Sequence, residues 1–462
     1  MSRLVNSTRQ YNTVTANGAV THSTSLSACL DLFFIAGASR NMLESDIIMM
    51  FERARAENKN LAYKILFWAR DARGGAGEKR FFQLIMEHIS KQYAYDFDQL
   101  AIYIPEFGYW KDVFKIERPT DNNLNWMKTQ LEESANANLL AKWFPRKGKW
   151  FVAMHQYLKM TPKEFRKKLV SMTKVVETQM CANEWSEINY SQVPSIAMNN
   201  YRNSFLRHDD VRYAEFIADV QEGKAKINAG VLFPHQLYQA IQKGDDANAV
   251  EAQWDALPDY MADSTERIIP VCDVSGSMEG LPMDVSVSLG IYISERNNSI
   301  FKDAFLTFSE RPQMNYLRGS LSERMRQLSR ADWGMSTNLE ATFDLILNSA
   351  VRESLPEDEM PTKLLIISDM EFNEATDHSG TNLDSIRQKY SNAGYKMPEI
   401  VFWNVNGRVG NVPASMDESG IGLVSGFSPS ILKSVLKGEI YSPQQLMLDT
   451  VDSARYSCIG VE

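Results

Sequence analysis

Ile268-Ile269-Pro270-Val271-Cys272-Asp273-Val274-Ser275-Gly276-Ser277 decides the fold of this chain, because an apolar, strand-like run closes on one carboxylate and two hydroxyls held on a tight turn. Mg²⁺ takes oxygen ligands in octahedral geometry and keeps several waters, so such a set leaves coordination positions for an outside ligand. Gly276 lets the backbone turn so that Ser275 and Ser277 face the same way. The same residue types also cap helices, so this stretch needs support from elsewhere in the chain.

Two segments downstream supply it. Gly334-Met335-Ser336-Thr337-Asn338 opens a helical run over Leu339 to Leu347, and Lys363-Leu364-Leu365-Ile366-Ile367-Ser368 reads as a buried strand that ends in Asp369. Strand-like segments at 267–273, 301–309, 363–369, 399–405 and 420–427 alternate with helical segments near 281–296, 338–350, 381–393 and 429–437. That alternation predicts parallel βαβ units in a doubly wound α/β sheet, with Met314 to Arg318 as an antiparallel edge strand. Ligands of such sheets lie beyond the carboxyl ends of the strands, where Asp273 and Asp369 would both sit. Glu371, two residues further on, is a weaker candidate.

The order DxSxS, Gly-flanked Thr, strand-terminal Asp resembles the von Willebrand factor A domain, a Rossmann-like fold, and its metal-ion-dependent adhesion site. The resemblance implies that Asp273, Ser275, Ser277, Thr337 and Asp369 hold Mg²⁺ or another divalent cation. A protein partner would complete the shell with a carboxylate. Where many such domains have glycine after the last Asp, this chain has Met370-Glu371.

The chain has 462 residues, 44% of them apolar, which suits two or three soluble domains. No apolar run approaches the roughly 18 residues of a membrane span, and Met1-Ser2-Arg3-Leu4-Val5-Asn6 lacks a secretion-signal core. Cys29, Cys181, Cys272 and Cys458 are scattered without CxxC spacing, which argues for a reducing, cytoplasmic setting. The six histidines show no HExxH or HxH spacing, so a histidine-metal hydrolase is disfavoured.

Net charge is −9, yet residues 1–250 carry 32 Lys+Arg against 27 Asp+Glu, and the remainder carries 17 against 31. The basic excess peaks between Lys142 and Lys174, where Lys142, Arg146, Lys147, Lys149, Lys159, Lys163, Arg166, Lys167, Lys168 and Lys174 face the single acid Glu164. Trp143, Phe144, Trp150, Phe151 and Tyr157 are interleaved with them, a pattern suited to phosphate attraction and base stacking. Thr161-Pro162-Lys163-Glu164 reads as a capping box, so a helix is expected from Pro162. Phe165, Leu169, Met172 and Val176 would be its buried stripe, with Lys163, Arg166, Lys167 and Lys174 outside. A second cluster, Arg70, Arg73, Lys79 and Arg80, brackets the glycines of Gly74-Gly75-Ala76-Gly77, although Glu78 rules out a Walker A loop.

Ala69 to Arg80, followed by Ile104-Pro105-Glu106-Phe107-Gly108-Tyr109-Trp110-Lys111-Asp112, resembles the TROVE module of Ro ribonucleoproteins. With Leu140 to Arg146 and Val193-Pro194-Ser195, the chain is more similar still to a related family of unknown function found in phages, fungi and plants. The resemblance implies an all-α, HEAT-like helical region that binds structured or misfolded RNA. The expected organisation is a polar arm at 1–25, a helical TROVE-like domain at 26–242, a linker at 243–266 and the A-like domain at 267–462. A non-enzymatic RNA-binding scaffold is the leading expectation. A metal-dependent assembly component without nucleic acid is the alternative, and a metal-dependent hydrolase, for which no positioned base is visible, comes third.

Overall fold

The computed structural model describes residues 13–116, 119–308, 311–328, 337–373 and 382–461. They divide into two compact units, each assembled from separate pieces of chain. Residues 13–65, 233–239 and 259–454 form a sheet unit, while 66–232, 240–258 and 455–461 form a helical unit. This division departs from the sequence expectation, since the first helices group with the sheet and the segment after 454 with the helices.

The strands are β1 (Thr13–Val14), β2 (Val20–Thr21), β3 (Ile268–Cys272), β4 (Ala304–Thr307), β5 (Met314–Tyr316), β6 (Lys363–Ser368), β7 (Glu399–Asn404) and β8 (Ile421–Ser425). Six of them make one sheet in the order β5-β4-β3-β6-β7-β8. All neighbours are parallel except β5, which runs antiparallel to β4 at the edge. The Ile-, Leu- and Val-rich runs of β3, β6 and β8 are buried along their whole length, as parallel strands covered on both faces require. From β3 the chain passes first to β4 on one side and later to β6 on the other. This reversal makes the carboxyl ends of β3 and β6 the topological switch point of the sheet.

Helix Leu281–Arg296 packs on β3, and its apolar composition leaves most of its residues buried. A Cβ at Gly290 would lie 2.2 Å from Cys272 Sγ, so the close approach of helix and strand depends on that glycine. The helix ends at Asn297, whose amide donates to the Ile268 carbonyl at 2.6 Å. Helix Leu339–Glu353 starts on Asn338, whose side chain accepts from Ala341 N at 2.8 Å. Gly334, Met335 and Ser336 lie outside the described residues.

The polar segment expected to be a loose arm is folded from residue 13 onward. β1 and β2 form an antiparallel hairpin whose Thr15, Ala19 and Thr21 are buried. The hydroxyls and amides that make this stretch look solvent-loving satisfy buried carbonyls instead. Helix Ala28–Ala36 follows, capped by Ser27. It is fastened to β8, where Ser425 Oγ donates to the Phe33 carbonyl at 2.8 Å and accepts from Gly37 N at 3.0 Å.

In the helical unit, Thr161 and Glu164 form the expected capping box at the start of helix Pro162–Met172. Phe165 and Leu169 are buried beneath it. The stripe stops there, because Thr173 turns its hydroxyl onto the Leu169 carbonyl at 2.7 Å and Val176 belongs to a separate helix, Val176–Cys181. Tyr190, Phe205, Tyr213 and Phe216 make a second core, with ring centroids 5.2 to 6.4 Å apart along the linked pairs. The segment after 454 is clipped onto this unit at buried Asp71, which accepts from Arg455 Nη2 at 2.7 Å and from the Tyr456 hydroxyl at 3.0 Å.

Candidate metal centre and basic face

Parallel pairing of Cys272 with Ile367 puts the ends of β3 and β6 side by side. Asp273 follows β3 and is fully buried; one carboxylate oxygen accepts from Ser275 N at 2.9 Å and the other from the Ser368 hydroxyl at 2.6 Å. The Ser275 and Ser277 hydroxyls lie 3.1 Å apart on the turn that follows. Burial pushes the Asp273 carboxyl up to about 6, with the neighbouring Asp369 charge adding to the rise and the Ser368 and Ser275 hydrogen bonds opposing it.

Asp369 is buried at the end of β6 and accepts from Glu371 N at 3.2 Å. Arg408 reaches it from beyond β7, 3.2 Å from Asp369 and 3.5 Å from the Glu371 carboxylate. Thr337 is buried too, but its hydroxyl donates to the Glu371 carbonyl. Glu371, the weaker candidate of the sequence reading, is therefore a hub, and its carboxylate also accepts from Ala16 N at 2.6 Å and Asn411 Nδ2 at 3.2 Å. The structure thus gathers Asp273, Ser275 and Ser277 into one cluster with Ser368. Thr337 and Asp369 line the same sheet edge but are engaged by Glu371 and Arg408.

The donor set is all oxygen: two carboxylates and three hydroxyls, with lone pairs left over. That chemistry fits a hard divalent ion with retained waters. Among the described residues no group of three or more His, Cys, Asp or Glu side chains is arranged around a common metal position. Any cation here leans on hydroxyls and on an outside ligand. Ser368, Arg408 and Asn411 were not singled out from sequence; Ser368 ends β6, the kind of position that brought Asp273 and Asp369 to notice, whereas Arg408 and Asn411 lie in the loop beyond β7, where no pattern marks them.

The basic residues fare unevenly. Arg70 is buried and bonded to Asp112 at 2.8 Å, which withdraws it from any surface role. Arg73 is exposed and donates to the Glu106 carbonyl at 3.0 Å, while Lys79 is exposed at the start of its helix and Arg80 half-buried. In the Gly74–Gly77 loop Gly75 N and Ala76 N, and Glu78 N just after it, bond to backbone carbonyls, which occupies three of the N–H groups a phosphate would use. The loop's glycine serves close packing, since a Cβ on Gly75 would lie 2.0 Å from the Trp68 carbonyl oxygen.

Lys142 pairs with Glu177 at 2.6 Å, and Arg146 donates to the Ala141 and Phe144 carbonyls. Lys147, Lys149, Lys163, Arg166, Lys167 and Lys174 are exposed. Arg166 lies 4.8 Å over the Phe151 ring. The interleaved aromatics are largely core: Phe144, Trp150, Phe151 and Phe165 are buried, and Phe114, Phe144 and Phe165 meet edge to face. Trp143 is half-buried, but Lys111 Nζ sits 3.6 Å from its ring centroid and Lys142 Nζ 4.7 Å. These aromatics are therefore committed to packing, which leaves the exposed cations as the feature of this face. Burial, with Lys79, Lys142 and Lys115 nearby, lowers the Lys111 ammonium below its ordinary value, while the neighbouring Asp112 opposes the shift.

The chain thus joins an α/β sheet unit, whose strand ends carry buried acids and hydroxyls, to a helical unit with an exposed basic face. Residues 119–266 match a domain of unknown function (DUF2828), and residues 267–456 match a second domain of unknown function (DUF7788). An uncharacterized protein of Acanthamoeba polyphaga mimivirus is 31% identical, over 95% of this chain and 87% of that protein. The chain belongs to the family of that viral protein. Among the described residues no helix is long and apolar enough to cross a membrane.

Proposed function

We propose that the protein is a non-enzymatic, cytoplasmic binding scaffold. Its sheet unit is read as a von Willebrand factor A-type domain holding Mg²⁺, and its helical unit as a TROVE-like, HEAT-like region that contacts RNA. The observation that carries the reading is Asp273, buried beside Asp369 and framed by the Ser275, Ser277 and Ser368 hydroxyls. A cation at that edge would be held by Asp273, Ser275 and Ser277, with Thr337 and Asp369 acting directly or through water. When bound it supplies a Lewis-acidic point for a partner's carboxylate. Arg408 is the standing counter-charge for Asp369 and Glu371.

Calorimetric titration of the full chain with Mn²⁺ or Mg²⁺ tests this reading. Wild type should bind one ion, and Asp273→Ala should bind none while remaining folded; equal binding by both would remove the site. RNA contact through Lys163, Arg166 and Lys167 is tested by changing all three to Glu. Binding of labelled structured RNA should weaken at least tenfold, with the salt dependence reduced. Internal pairing of Arg70 with Asp112 and of Lys142 with Glu177 favours a second reading, an assembly component without nucleic acid. That reading wins if wild type retains no RNA even at low salt.

A further inference from the structure

The edge of the sheet unit that holds Asp369 and Thr337 is crossed by the hairpin of residues 13–22, more than 300 residues away in sequence. We propose that this hairpin is a built-in strap of the cation site, and that Asn17 at its tip is a positioning residue for Thr337. The proposal rests on the cation reading above.

Glu371 is where the strap takes hold. Asn17 Nδ2 donates to the Glu371 carbonyl at 2.7 Å, Ala16 N donates to its carboxylate at 2.6 Å, and Thr15 Oγ1 donates to the next carbonyl, Phe372, at 2.6 Å. The other arm is tied to the segment after β7: Thr21 Oγ1 donates to the Val412 carbonyl at 2.9 Å, and His22 and Val412 exchange backbone hydrogen bonds. Gly18 also bridges to Asn373. Every anchor therefore lies on a loop at the carboxyl edge of the sheet.

The consequence falls on Thr337. A hydroxyl that ligates a cation must present a lone pair and send its proton elsewhere, and the Thr337 hydroxyl donates to the Glu371 carbonyl, with Asn373 Oδ1 a longer acceptor at 3.3 Å. Asn17 holds that same carbonyl in place, and its amide also donates to Thr337 Oγ1 at 3.4 Å, which takes one lone pair of that oxygen and leaves the other for a cation. Strap docking thus favours the arrangement in which Thr337 can serve. Cation binding and strap docking then strengthen one another, because coupling between two sites is reciprocal.

The test uses the full chain, Mn²⁺ calorimetry and limited proteolysis of residues 13–22 read by mass spectrometry. Asn17→Ala, and separately Thr15→Val, should weaken Mn²⁺ binding by about fivefold or more, the lower end of ordinary coupling. Exposed Asn17→Ala should leave the thermal unfolding midpoint nearly unchanged, while Thr15→Val, which strands the buried Phe372 carbonyl, should lower it. Exposed Val14→Ala, the control, should bind as wild type does. Mn²⁺ should slow cleavage of the strap in wild type and leave it unchanged in Asp273→Ala. Unaltered or tighter binding in both strap variants would overturn the proposal, the latter by making the strap a competitor. If wild type itself takes up no Mn²⁺, the cation reading fails and the coupling falls with it.

Discussion

Replacing His235 by leucine should flatten the acid sensitivity of the sheet unit. His235 is 6% exposed, its ring lies 5.6 Å from Phe427 and 5.8 Å from Phe233, and its Nδ1 has no partner among the described residues. Arg40, the charged group that bears on it, lies 4.4 Å over the Phe427 ring. Burial, with a smaller push from Arg40, brings the imidazole down from 6.5 to about 3. The folded state therefore keeps the ring neutral while the unfolded chain takes up a proton near pH 6.5. Between about pH 6.5 and 3 the unfolded state binds more protons, so stability present at pH 7 is lost as pH falls. At pH 5 the difference from this one ring amounts to about 2 kcal/mol, at 1.36 kcal/mol per pH unit. For a unit of this size that is an extra fall of roughly 4–8 °C in Tm. Circular dichroism melts of wild type and His235→Leu at pH 7 and pH 5 measure it, with the comparison resting on the pH slope, not on either protein's absolute Tm. Equal slopes would refute the claim that a neutral, buried ring is being titrated.

Asp112→Ala should cost about 3–5 kcal/mol in urea unfolding, because it strands the buried Arg70 guanidinium; adding Arg70→Met should recover most of the loss. Gly290→Ala should destabilise by about 1–3 kcal/mol through overpacking against Cys272, and the Gly290→Ala, Cys272→Ala pair should be more stable than Gly290→Ala alone, as read by Tm. Thr161→Ala should remove about 1 kcal/mol of stability with RNA affinity unchanged, separating the capping box from the cations that follow it.

The sheet was legible because its strands carry nothing but their own burial pattern. Short runs rich in Ile, Leu and Val at 268–272, 363–368 and 421–425 have the pattern of strands buried on both faces, and Met314–Tyr316 was short and polar enough to read as an edge. The strand-terminal acids followed from topology. Other features depend on partners distant in the chain. Nothing in Thr15-Ala16-Asn17 separates a solvated arm from a strap, since the carbonyls it satisfies lie beyond residue 370. Arg70 looked like a surface cation because the acid that neutralises it is 42 positions away. Helical spacing carried the stripe from Leu169 to Val176, whereas Thr173 bonded back to the Leu169 carbonyl and ended the turn. Aromatics between lysines read equally well as stacking platforms or as core, and edge-to-face packing with Phe114 decides for core.

The clip at Asp71 bears on how the chain is made. The helical unit contains residues 66–232, but the guanidinium that caps Asp71 comes from Arg455, a loop closure of 384 residues. During synthesis at roughly 5–20 residues per second, the carboxylate spends some tens of seconds without that partner. A ribosome-bound chain halted near residue 260 should therefore hold these helices in a looser, more protease-sensitive state than the released protein. Excising the sequence block 119–266 as a self-standing domain would leave behind both Asp71 and Arg455, so the natural unit of expression is set by the clip and not by the boundaries of similarity.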